Sequence, residues 1–335
     1  MAIEIVAEIA QGYEGDRGLS ELLVRSAVNA GADAVKFQAV FAAELATATY
    51  QHFGLFTKLE MKREDWLGIS ECCETFGIEL QLDVFGAMSV TLAEELVVGA
   101  IKVHPTDMTN VALLEMIGET AVPKVLLGVG GANPDEISLA VELLAAKQIT
   151  LLLGFQGYPT KTSDNQVGRL KFLSERFRSM NPSLKLGFAD HALPEDGLHP
   201  LLAALAVGFG ATLIEKHICL NRVLKLEDHE SAINADEFKL FCEQLRELES
   251  AIGPEHHEGD FMMSSAEINY RETISRDVVA LKQISQGSII CKGDVGLKRS
   301  GFESAAKDLE LVIGKKAVRS YRSDEVFLSS DYGVK

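Results

Sequence analysis

Cysteine is scarce in this chain: Cys72, Cys73, Cys219, Cys242 and Cys291 are scattered and odd in number. That excludes a disulfide-stapled scaffold, and none of the spacings is that of a zinc ribbon or finger. Long apolar runs are missing as well, and no stretch approaches the roughly 18 residues that span a bilayer. The opening segment MAIEIVAEIA lacks a basic n-region and a small-residue cleavage site, so no signal peptide is expected and a cytoplasmic location is. Positive charge is in deficit: 32 Lys and Arg against 49 Asp and Glu leave a formal charge of -17. Such a field repels a duplex or an anionic membrane surface, so neither is an expected partner. An anionic small substrate stays open, because a pocket can be locally positive inside an acidic protein.

What is present is material for a large core, with 47% hydrophobic residues in 335. Eight short apolar runs recur through the first 252 residues: Ile3–Ala10, Ala32–Ala39, Ile78–Phe85, Ala100–His104, Lys124–Val129, Thr150–Phe155, Leu184–Ala189 and Thr212–Ile218. Rich in Val, Ile, Leu and Phe, they read as parallel strands buried on both faces. Amphipathic segments between them read as helices: Ser20–Asn29, Arg63–Phe76, Ala87–Val97, Pro134–Ala146, Asn165–Ser179, His199–Phe209 and Ala235–Ile252. Gly31, Gly77 and Gly99 stand where glycines end helices. Eight βα units in about 250 residues predict a (β/α)8 TIM barrel over 1–252. A doubly wound open sheet is the other arrangement, but the first turn, Gln11-Gly12-Tyr13-Glu14-Gly15, is not a dinucleotide fingerprint. A polar linker over 253–275 follows, including PEHHEGD at Pro254–Asp260 and an ambiguous Phe261–Tyr270. Residues 276–335 read as a small, mostly β domain with strand-like pieces at Val278–Lys282, Gly287–Ile290, Gly293–Leu297, Val312–Lys316 and Ala317–Val318.

In a TIM barrel the chemistry sits where strands run into their following loops. The polar residues at those ends are Glu8, Lys36 with Gln38, Asp83, Lys102 with His104, Gln156, Asp190 with His191, and Glu215 with Lys216 and His217. Unpaired charge in such a mouth is costly, so opposite charges and a ligand are implied. His191 and His217 close neighbouring strands, from which two imidazoles can share a divalent metal; ordinary hydrogen-bonded histidines are the alternative. His52, His199, His256 and His257 lie in a loop, at a helix start and in the linker, where a structural role is expected. Lys36 and Lys102 suit a phosphate or carboxylate, or else salt bridges to Glu8 or Asp83. The backbone of Gly128-Val129-Gly130-Gly131 offers N–H groups to a phosphate.

Ala7-Glu8-Ile9, Lys36-Phe37-Gln38, Tyr158-Pro159-Thr160, Asp190-His191 and Glu215-Lys216-His217, in that order at successive strand ends, resemble the sialic acid (nonulosonate) synthases. Arg276 before Val278-Val279-Ala280, then Lys298-Arg299-Ser300-Gly301, resembles the antifreeze-like (SAF) domain that closes that family's chains. The resemblance implies a transferase that joins phosphoenolpyruvate to a sugar aldehyde such as an N-acetylmannosamine-like hexosamine. It implies His191 and His217 as ligands of Mn²⁺ or Mg²⁺, Glu215 as the acid beside the acceptor carbonyl, and Glu8 and Gln38 as further catalytic positions. Lys36 and Lys102 match donor-binding lysines and Asp228 an acceptor-binding acid; Gln156 and Tyr158 are further expected substrate contacts. Arg276 matches an arginine presented to the other subunit of a domain-swapped homodimer.

The chain departs from the family's pattern in several places. Gly12-Tyr13 stand where Asn-His is usual, and Pro105 and Gly128 where serines serve the donor phosphate. Phe155-Gln156 replace a polar pair, and Ser275-Arg276-Asp277 replace Arg-Arg-Ser. Thr106, Gln156, His104 or backbone amides near Gly128 are the available substitutes. A pyruvate-type donor, with Lys36 or Lys102 as an imine-forming amine, and an inert sugar-binding homologue are the competing readings. The long loop from Phe41 to Lys62, with Tyr50, His52 and Phe53, is expected to shape the acceptor pocket.

Overall fold

Strand alternation and glycine-ended helices give the expected closed barrel. The computed structural model describes residues 2–154, 156–253 and 262–332. Eight parallel strands, β1 (Glu4–Ala10), β2 (Ala34–Gln38), β3 (Glu79–Val84), β4 (Ala100–Val103), β5 (Lys124–Gly128), β6 (Gln148–Gly154), β7 (Lys185–Asp190) and β8 (Ala211–Cys219), pair in sequence order. β1 also pairs with β8, which closes the ring. A short β9 (Ile233–Asn234) pairs in parallel with the last two residues of β8.

Because side chains alternate along a strand, inward positions stack in layers. At the bottom, Lys124 Nζ lies 2.9 Å from Glu4 Oε1 and 3.1 Å from Glu79 Oε1. The middle layer is apolar: Val6, Ala34, Ala100, Leu126, Leu152, Ala189 and Leu213 pack together as a buried cluster. The top layer is charged and belongs to the site below. Outside the strands, a larger apolar core packs against the helices.

Helices Arg63–Phe76 and Ala235–Ile252 keep the bounds read from sequence, while others shift at their ends by one to four residues. Gly31 (φ 91°) and Gly77 (φ 67°) take the left-handed conformation and satisfy the last carbonyls of their helices. Gly99 does not. Its helix, Ala87–Glu95, is followed by Val97 at φ 51°, and a side chain at Gly99 would meet Glu79 Cδ at 2.1 Å. Gly99 therefore does not end the helix, and what it faces is the Glu79 side chain. The helix Val111–Glu119, which precedes β5, is absent from the sequence reading. The 41–62 loop carries two short helices, Ala42–Leu45 and Phe53–Leu59.

The chain divides into two compact units, Met1–Pro254 and Glu255–Lys335. Phe155, the PEHHEGD segment with His256 and His257, and Phe261 lie outside the described residues. Ser265–Ile274, read from sequence as linker, is helical, with the Ser264 side chain capping its first turn. In the second unit β10 (Asp277–Ala280) pairs antiparallel with β11 (Val295–Lys298) around Val278, Tyr321 and Phe327. The pieces expected as strands at 287–290 and 312–318 are single bridges instead, such as Ile289 with Lys316. In a unit this small, turns and aromatic packing (Tyr321 on Phe327, 4.1 Å) replace long ladders. No helix among the described residues is long and apolar enough to cross a membrane.

Candidate active site

The top layer of the barrel is a buried charge cluster. Glu8, Lys36, Asp83, Lys102 and Glu215 come from β1, β2, β3, β4 and β8, and none is more than 7% exposed. Lys36 pairs with Glu8 and lies 3.6 Å from Asp83 and 3.3 Å from Glu215. Lys102 lies 3.0 Å from Glu215, 3.4 Å from Asp83 and 3.7 Å from Glu8. Three carboxylates thus share two ammonium groups. Burial opposes the charge on Lys102, but Asp83 and Glu215 outweigh it and hold the ammonium above the usual lysine range. Burial prevails at Lys36 and pushes it down to about 8. Glu215 is driven down to about 2 by Lys102 and Lys36 against the pull of burial.

Above this cluster a small inner chamber opens, lined by Glu8, Gln38, Lys102, His191, His217 and Asp228 among others. A wider outer cleft shares Gln38, His104, Tyr158 and Asp228 with it. The 41–62 loop supplies Leu45, Thr47, Tyr50, His52 and Phe56 to that cleft, so it does shape the mouth. His52, expected to be structural, lines the cleft as well.

His191 and His217 meet as expected of neighbouring strands, with ring centroids 5.1 Å apart, and Tyr158 is edge-on to both at 6.0 Å. Burial, reinforced by Lys102, lowers His191 to about 3, and burial with His191 nearby lowers His217 well below the usual histidine range. Both rings are therefore neutral, the state in which imidazole binds metal. The Ala189 carbonyl lies 3.1 Å from His191 Nδ1 and can only accept, so that nitrogen carries the proton and Nε2 the lone pair. Among the described residues no three His, Cys, Asp or Glu side chains converge as a metal-binding group. The residues fit an ion that takes two nitrogens here and its remaining ligands from water and substrate.

Asp228, at φ 63°, accepts the Gln11 N–H at 2.9 Å. Burial raises its carboxyl to about 6, against the Gln11 and Tyr158 hydrogen bonds. Gln11 also donates its side-chain amide to Gln38 Oε1 at 2.7 Å. The sequence reading passed over Gln11; its only signal is its place directly after β1. Asp83, read from sequence as a strand-end acid and an alternative salt-bridge partner for the two lysines, lies within 3.6 Å of both of them.

Other expectations shift. Lys36 is completely buried beneath the chamber and is not among its lining residues, so its contacts are with carboxylates. Gln156 donates to the Asn165 carbonyl at 3.0 Å and lines neither cavity. Tyr13 is fully buried against Phe37 and Trp66, its hydroxyl donating to the Gln38 carbonyl at 3.0 Å. It is core, and it steadies Gln38. Arg276 lies exposed in the second unit, directly before β10. Pro105 and Gly128, the two missing serine positions, touch: a Cβ on Gly128 would lie 2.8 Å from Pro105 Cδ.

Comparison with known proteins agrees with this architecture. Residues 23–257 match the NeuB family and residues 276–332 the SAF domain. The N,N'-diacetyllegionaminic acid synthase of Campylobacter jejuni is 28% identical over 341 residues, covering 96% of this chain and 98% of that protein. A pseudaminic acid synthase of Campylobacter jejuni is 24% identical over 345 residues, covering 98% and 96%. The crystal structure of spore coat polysaccharide biosynthesis protein E from Chromobacterium violaceum shares the fold, with TM-score 0.79, 20% identity and coverage of 97% and 98%. Kinship of this kind carries a general dependence on a metal ion. With its charged barrel mouth, its histidine pair and its C-terminal SAF domain, the chain belongs to the NeuB family of phosphoenolpyruvate-dependent, carbon–carbon bond-forming synthases.

Proposed function

We propose that the chain condenses phosphoenolpyruvate with an uncharged, hexosamine-type sugar aldehyde, giving a 2-keto-3-deoxy sugar acid and phosphate. The observation that carries this reading is the two-part mouth. The inner chamber holds Lys102, Glu215's partner, beside the histidine pair, and the outer cleft offers aromatic faces with amide, hydroxyl and carboxylate groups. The donor belongs in the first and the acceptor in the second. Asp228, Gln11, Gln38 and Thr47 can bond sugar hydroxyls and amides, while Tyr50, Phe56 and Phe85 can cover apolar edges of the ring. A carboxylate among these groups suits a neutral acceptor better than a phosphorylated one.

Carbon 3 of the donor attacks the aldehyde carbon, positive charge develops at carbon 2, water adds there, and the C2–O bond to phosphate breaks. A metal held by His191 and His217 would polarise the aldehyde oxygen. Lys102, held charged, opposes the donor's anionic groups. Glu215, which like Lys36 is not among the chamber's lining residues, is an ionised carboxylate that holds the Lys102 ammonium rather than an acid at the reacting carbonyl. With Pro105 packed on Gly128 in place of two hydroxyls, His104 is the polar group on that wall, its Nδ1 2.9 Å from Thr106 Oγ1. An imine route through Lys36 is disfavoured, since its amine is enclosed by Glu8, Asp83 and Glu215.

The family resemblance implies a domain-swapped homodimer in which Arg276 completes the partner's site. Phosphate release from phosphoenolpyruvate with Mn²⁺, across neutral and phosphorylated hexosamines and beside a His217→Ala control, tests the reading. Release that depends on a neutral acceptor and is lost in the variant is expected. No release with any acceptor from metal-loaded protein would remove phosphoenolpyruvate as the donor.

A further inference from the structure

Each histidine of the pair follows a charged residue that points to the opposite face of the barrel wall. Asp190 precedes His191 and Lys216 precedes His217, and the two charged residues are direct partners across β7 and β8. Both are completely buried. The Lys216 ammonium lies 3.2 Å from Asp190 Oδ2, 3.1 Å from the Ala192 carbonyl and 3.4 Å from the Asp190 carbonyl. Asp190 Oδ1 in turn accepts the Ala192 N–H at 2.8 Å. One ammonium on β8 therefore faces three oxygens of a three-residue segment whose middle residue is His191. The same segment is tied on its other side, where the His191 carbonyl accepts from Thr160 N–H at 2.8 Å and from Ser231 Oγ at 3.0 Å.

Packing alone does not call for this arrangement. Burying two charges costs solvation that their attraction often fails to recover, and an apolar pair of similar volume is commonly neutral or stabilising. What an apolar pair lacks is direction. Lys216 orients the carbonyls of Asp190 and Ala192, and so the backbone that carries His191, against the strand that carries His217. We propose that Asp190 and Lys216 are positioning residues: from the far side of the wall they fix the spacing and orientation of the two imidazoles, and thereby the affinity for a divalent cation.

The inference rests on the proposed metal role of His191 and His217, and its test separates the two. Mn²⁺ binding is measured by electron paramagnetic resonance on the full-length wild type, on the Asp190→Leu/Lys216→Met double variant and on Asp190→Asn, with thermal unfolding in EDTA as the control. The double variant is expected to melt within a few degrees of wild type and to bind Mn²⁺ about 10–100-fold more weakly, the usual effect of losing groups that orient ligands. Asp190→Asn, which keeps an acceptor for the Ala192 N–H, is expected to lose less, and it decides the matter if the double variant does not fold. Folded variants with wild-type Mn²⁺ affinity would overturn the positioning role alone. Wild-type protein that binds no Mn²⁺ would overturn the metal reading and this inference with it.

Discussion

Lys102 and Glu215 are joined across the barrel axis, Nζ to Oε1 at 3.0 Å, although 113 residues separate them in the chain. Because β1 pairs with β8, a residue of β4 and one of β8 face each other over a layer of small and apolar side chains. Their pair belongs to a cluster of three carboxylates and two ammonium groups.

That imbalance makes the cluster asymmetric to substitution. Lys36→Met leaves Lys102 alone against three carboxylates and is expected to destabilise the fold by about 3–5 kcal/mol, as unpaired buried charge does. Asp83→Asn leaves two of each sign and is expected to cost clearly less. Urea unfolding of both variants checks the order, and a reversed order would sink the charge argument.

Gly128→Ser forces a Cβ to within 2.8 Å of Pro105 Cδ and is expected to cost about 1–3 kcal/mol, as overpacking does. In the Pro105→Ser/Gly128→Ser double variant the clash is relieved, so the two effects should fall short of their sum by about 0.5 kcal/mol or more. The double variant also restores two hydroxyls to the donor wall. One charge-assisted hydrogen bond is worth about 1.5–3 kcal/mol, so its KM for phosphoenolpyruvate should fall about tenfold or more. Additive stabilities would show that the contact carries no energy.

Asp228, with its carboxyl raised from 3.8 to about 6 by burial, gives a pH signature. A folded pKa above the unfolded one contributes stability below 3.8, and that contribution is lost as pH rises through about 6. Asp228→Asn should therefore gain stability relative to wild type across that window. If the carboxylate binds the acceptor, wild-type kcat/KM for the sugar should fall on the acid side with a midpoint near 6, and the variant should show a low, flat profile there. Identical acid limbs in both proteins would remove Asp228 from acceptor binding.

The proposed exchange of Arg276 between subunits predicts complementation. Arg276→Ala and His217→Ala proteins should each be inactive. After mixed refolding, heterodimers contain one site with both residues intact, so about a quarter of wild-type activity should return. No recovery from confirmed heterodimers would place Arg276 outside the partner's site.

Much of this site was legible in the residues themselves. Eight apolar runs with glycine-ended helices implied the ring, and the ends of those runs gave Glu8, Lys36, Gln38, Lys102, Glu215 and His217, but also Asp190 and Lys216, which pair on the other face of the wall. Gly99 and the second unit show where that reasoning is weak: a glycine past a helix need not be the residue that ends it, and short apolar pieces between turns need not form ladders.

What sequence alone determined is which residues stand at one end of the barrel, since the bounds of an apolar run are local. Which of them touch was decided by closure and loop return. Only the closed ring sets Lys102 on Glu215, packs Pro105 on Gly128, buries Tyr13 against Trp66 and turns Gln156 toward Asn165. Those contacts depend on backbone approach between segments far apart in the chain, and no local pattern encodes a distance across a barrel.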